Sequence, residues 1–79
     1  MDEPANGDAH RPPGRVRSQA GRLARRAESL REQAHAFAAS AASDEALHPA
    51  RARALRALAE ELHATADEVA RLARDLEEH

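Results

Sequence analysis

Two short motifs contain residue types that bind metal ions or transfer protons. They are Glu32-x-x-His35 and Glu60-x-x-His63. Residues three apart on a helix lie on the same face, so each motif would present a carboxylate and an imidazole together. Pairs of such motifs supply the ligands of metal centres in some helical bundles. The spacing therefore makes a carboxylate–histidine metal site one candidate chemistry for this chain.

The spacing resembles that of the di-iron carboxylate bundles, and the resemblance extends only to these motifs and to the helical hairpin predicted below. It implies a metal ion held by Glu32, His35, Glu60 and His63. Both motifs, however, fall on the polar faces of their predicted helices, opposite the apolar positions. We therefore predict no metal ion and no cofactor, and keep the metal-binding bundle as an alternative.

Composition excludes several other classes of function. The 79-residue chain has no cysteine, so it can form no disulfide, Cys-ligated zinc site or thiol nucleophile. Its apolar runs are far shorter than the ~20 residues of a membrane span, and its acidic start does not fit a secretory signal. It has no Gly-rich phosphate loop and no convergent Ser/His/Asp set. The sequence predicts a non-enzymatic, cytoplasmic protein without membrane contact, and arginine use without lysine is typical of GC-rich bacteria.

The first part of the chain differs from the rest. Residues 1–14 contain three of the four prolines and two of the three glycines, with no large apolar side chain after Met1. Burial therefore cannot offset the entropy of ordering this segment. We predict a disordered arm over residues 1–14 and a helical domain over residues 15–79.

Apolar residues in the helical domain follow the 4–3 spacing of a heptad repeat. A first series of apolar residues with this spacing predicts a helix over residues 15–42, and a second series predicts a helix over residues 49–77. Pro49 suits the first position of a helix and disfavours helix at the residue before it. The sequence therefore predicts an all-α fold with a break before Pro49.

The break is compatible with two arrangements. The heptad phase continues through it, so one long bent helix is an alternative, but that helix would carry Asp44, His48 and Arg51 at core positions. A two-helix antiparallel hairpin avoids burying these side chains. In an antiparallel hairpin, the residue numbers of each facing pair add up to the same value. A value of 92 puts the middle of the turn at residue 46, within the break. We therefore predict the hairpin in this register.

This register defines an apolar seam between the two helices. It matches large side chains such as Leu30 and Leu62, and it sets Ala27 against Thr65. We assign helix pairing and self-association, and no catalytic role, to the ten large seam residues. These are Val16, Leu23, Leu30, Phe37, Leu55, Leu58, Leu62, Val69, Leu72 and Leu76.

A column of alanines widens the apolar stripe of the second helix. It consists of Ala52, Ala59, Ala66 and Ala73. A stripe of this width is typical of a helix that packs against more than one neighbour. We therefore predict a homo-oligomer, with a dimer that forms a four-helix bundle favoured. The predicted role is a protein-interaction, adaptor or regulatory module with an unidentified protein partner.

Charge is divided between the two helices. Residues 11–31 carry seven arginines and one glutamate, whereas residues 60–79 carry seven acidic residues and two arginines. Antiparallel pairing would bring these segments together and place Arg26 near Glu68. The arginines also make a nucleic-acid-binding regulator an alternative. The net charge of −2 and the lack of an aromatic residue other than Phe37, which the core needs, disfavour it.

Overall fold

The computed structural model describes residues 12–78, and the side chains of residues 15–78. It contains two helices packed against each other, α1 (Pro12–Asp44) and α2 (Pro49–Glu78), and the described residues contain no strand. The prediction of an all-α, two-helix fold is confirmed. Most of the predicted disordered arm lies outside the described residues.

The helix boundaries differ from the predicted ones by one to three residues. α1 begins at Pro12 rather than at residue 15 and ends at Asp44 rather than at residue 42, and α2 extends to Glu78. An early start is physically allowed because proline lacks only an N–H that the first helical turn leaves without an intrahelical partner. α2 begins at Pro49, as predicted.

The break between the helices is a tight turn closed by backbone hydrogen bonds. The carbonyl oxygen of Asp44 accepts hydrogen bonds from the backbone N–H groups of Leu47 and His48, at 3.2 and 2.7 Å. The carbonyl oxygen of His48 then accepts the N–H of Ala52, which starts the hydrogen bonding of α2. The chain therefore reverses at the predicted break, and the single continuous helix is excluded.

Two ion pairs connect the turn to the first turns of α2. Asp44 contacts Arg51 at 3.2 Å between Oδ2 and Nε, and the Arg56 guanidinium donates to the Glu45 carboxylate. Asp44 is partly buried and the other three side chains are exposed, so solvent screens both pairs and each contributes only ~0–1 kcal/mol. They link the end of α1 and the turn to the first turns of α2.

The interface between the helices is built from alanine. Each helix contributes a column of four buried alanines spaced by seven residues, and we call these the alanine columns. They are Ala20, Ala27, Ala34 and Ala41 in α1, and Ala52, Ala59, Ala66 and Ala73 in α2. The distance between packed helix axes depends on the side chains at the contact, so small side chains favour close approach. Burying alanine also costs no side-chain rotamer entropy.

The centre of the core fixes the register of the hairpin. Ala27 and Ala66 form one buried cluster with Leu30, and Leu62 and Val69 pack against it half-buried. The numbers of the two alanines add up to 93, and because both columns repeat every seven residues, the same register matches their other members. The predicted match of Leu30 with Leu62 has a sum of 92, one less than that of the two alanines.

The face that α2 presents to α1 differs from the predicted one. Ala66 lies against Ala27 where the sequence predicted Thr65, and Thr65 is exposed. The alanine column of α2, predicted to face a further neighbour, is buried inside the hairpin. The cause is steric, because close packing along two columns of small residues turns the larger leucines of α2 toward one side.

The charged segments of the two helices lie alongside each other, as antiparallel pairing requires. An ion pair between them joins Arg31 to Asp67, at 3.1 Å between Nη2 and Oδ1. The predicted proximity of Arg26 and Glu68 stays a prediction. The described ion pairs do not include Arg26 or Glu68.

Neither described helix is long and apolar enough to cross a membrane.

Candidate functional site

Because α2 packs on α1 through its alanine column, apolar side chains of α2 lie along one edge of the hairpin. Leu58 and Leu72 are 41% and 55% exposed, which is unusual for leucines next to a helix interface. They stand beside α2 residues that are only half-buried against α1. We call this surface the leucine edge and define it as Leu23, Leu55, Leu58, Leu62, Val69, Leu72 and Leu76.

The ten predicted seam residues have different degrees of burial. Leu30 is the one that is buried, and Leu58 and Leu72 are exposed. The other seven are half-buried: Val16, Leu23, Phe37, Leu55, Leu62, Val69 and Leu76. The two helices alone therefore leave much of the seam in contact with water.

The leucine edge contains a shallow depression near the end of the hairpin farther from the turn. It is lined by Leu23 and Leu76 together with the polar side chains of Gln19 and Arg22. An apolar floor with a polar rim is the usual composition of a surface that contacts another protein.

The opposite edge of the hairpin is polar and brings two histidines together. The rings of His35 in α1 and His63 in α2 have centroids 5.3 Å apart and planes inclined by 61°. The Arg31–Asp67 ion pair lies one helical turn away, four residues before His35 and four after His63. We call these four residues the polar edge.

The four residues of the candidate metal motifs are only partly brought together. The rings of the two histidines contact each other, whereas Glu32 and Glu60 are exposed. Among residues 12–78, no group of three or more histidine and carboxylate side chains is placed to hold a metal ion. The arrangement is thus a pair of imidazoles joining two helices and not a carboxylate cage.

Sequence reasoning missed the contact between the histidines because it placed both on solvated faces. A signal was present, since His35 follows Ala34 of one alanine column directly and His63 lies four residues after Ala59 of the other. Residues at these positions flank the columns. If the alanine columns are the contact faces of the two helices, both imidazoles lie at the same edge of the hairpin.

The arginines of α1 form a third feature. Arg15, Arg17, Arg22, Arg25 and Arg26 are all exposed, and the ion pairs described for residues 15–78 involve Arg31, Arg51 and Arg56 instead. Exposed guanidinium groups of this kind can contact phosphates.

Comparisons with models of protein families, with curated proteins and with solved structures find no match to this chain.

Proposed function

We propose that the protein is a small self-associating helical module with a protein-interaction, adaptor or regulatory role and no enzymatic activity. The observation that carries this proposal is the exposure of Leu58 and Leu72 beside a row of half-buried leucines. Contiguous apolar surface of this kind marks interaction sites. The alanine columns are already occupied within the hairpin, so the leucine edge is the surface on which a partner would pack.

A second copy of the hairpin is the partner that the leucine edge fits best. An isologous contact would place the leucine edges of two copies against each other and convert two half-buried seams into one closed core. The result is a four-helix bundle, in which each helix buries a wide apolar stripe. The non-enzymatic role rests on the sequence, which has no cysteine and no Gly-rich phosphate loop.

Sedimentation equilibrium of the full chain tests this proposal directly. At micromolar concentration we expect a mass at least twice the 8.6 kDa of one chain. Dilution should shift the mass toward that of the single chain and lower the helical signal in circular dichroism, because the closed core stabilises the hairpin. A fully helical species of 8.6 kDa that does not change with concentration would contradict self-association.

Nucleic-acid binding through the exposed arginines of α1 is the second candidate. We expect weak binding of a labelled RNA or DNA at about 50 mM salt and none at about 200 mM, because contacts to phosphates alone are strongly salt-dependent. Fluorescence anisotropy would measure it. Binding that falls steeply with salt and is lost when Arg15, Arg17 and Arg22 become alanine, but not in an Arg53→Ala control, would favour this candidate. Binding that ignores both changes, or no binding at low salt, would remove it.

A further inference from the structure

The histidine pair has a geometry that the helix packing alone does not require. His35 and His63 come from different helices, lie at the rim of the interface and approach to a ring-centroid distance of 5.3 Å. Neither is needed to fill the core, since His35 is exposed and His63 is half-buried. The pair therefore remains accessible to a ligand from solvent.

The separation of the two rings matches that of two imidazoles bound to one metal ion. Zinc binds imidazole nitrogen at about 2.0–2.1 Å, and a tetrahedral angle between two such bonds places the ring centroids about 5 Å apart. The inclined ring planes are compatible with this arrangement, because each ring can rotate about its bond to the metal. Binding the ion requires side-chain torsion angles that turn one nitrogen of each imidazole toward the space between the rings.

The chemistry of the pair selects the class of metal. Imidazole is a ligand for zinc, copper and nickel, whereas magnesium and calcium prefer oxygen ligands. We propose that His35 and His63 form a two-imidazole site for zinc that joins α1 to α2 on the polar edge. Water completes the coordination, because the described residues hold no third ligand in position.

Zinc at this site would join the two helices and stabilise the folded hairpin. The two ligands belong to different helices, so the folded hairpin presents them together and the unfolded chain does not. An ion that binds only the folded state stabilises it by mass action. The leucine edge lies on the other side of the alanine columns, so the site does not depend on self-association.

Thermal and urea unfolding of the full chain with zinc chloride tests the site. At a zinc concentration about 100 times the dissociation constant, the unfolding equilibrium constant should fall about 100-fold. Magnesium chloride should cause no shift. His35→Ala and His63→Ala should each abolish the zinc effect, and the matched control His48→Ala, an exposed histidine of the turn, should retain it.

An NMR titration of the unmodified chain provides a readout that does not depend on the variants folding. We expect the imidazole signals of His35 and His63 to shift together and to saturate at one zinc per chain. No stabilisation by zinc, a zinc effect that survives either substitution, or histidine signals that do not move would each overturn the proposal. Failure of the zinc proposal would not affect the self-association proposal, because the zinc site and the leucine edge lie on opposite edges of the hairpin.

Discussion

Replacing Ala66 by leucine should lower the free energy of unfolding by about 1–3 kcal/mol, which is the usual cost of overpacking a tight core. Ala66 is fully buried and lies in the cluster with Ala27 and Leu30. A larger side chain at this position must separate the helices or adopt a strained rotamer. The added apolar area cannot compensate, because the close approach of α1 leaves it no space. Urea unfolding followed by circular dichroism would measure the loss.

Ala64→Leu is the matched control for this substitution. Ala64 lies two residues earlier in the same helix and is exposed. Alanine and leucine differ little in helix propensity, so this change should stay within about 0.5 kcal/mol of the original stability. Equal effects of the two substitutions would mean that the alanine columns do not form the helix interface.

The fold was predictable from the sequence because local signals agree with one another. Pro49 marks the start of α2, the heptad spacing marks both helices, and the charged residues near the break fit a turn better than a core. These signals act within a few residues and do not depend on how the helices contact each other. α1 begins three residues earlier than predicted, which is possible because proline is tolerated in the first turn of a helix.

The face of α2 was not predictable in the same way. Leucines and alanines both repeat every seven residues in this helix, and the sequence alone favours the larger side chains as the seam. Close packing of the alanine columns instead makes the alanine face of α2 the one that lies against α1. This packing exposes Thr65, Leu58 and Leu72 on one side. On the other side it brings His63 to His35.

The leucine edge should therefore control association without controlling the hairpin. Changing Leu58 and Leu72 together to glutamine keeps the net charge and should weaken self-association about 1,000-fold. In an isologous dimer the two substitutions remove four leucines from the interface. Each leucine is about half exposed in the single hairpin, so its further burial contributes ~1 kcal/mol, and 1.4 kcal/mol corresponds to a factor of ten. Sedimentation at matched concentrations would compare the dissociation constants.

Leu47→Gln provides the control for this measurement. Leu47 is 80% exposed but lies in the turn, away from the leucine edge, so its loss should leave the dissociation constant unchanged. At concentrations high enough to restore the dimer, the double variant should also recover its helical signal, because Leu58 and Leu72 contribute little to contact between α1 and α2. An unchanged dissociation constant in the double variant would place the contact between copies elsewhere. Equal weakening by Leu47→Gln would show that the effect follows from lost hydrophobicity in general and not from the leucine edge.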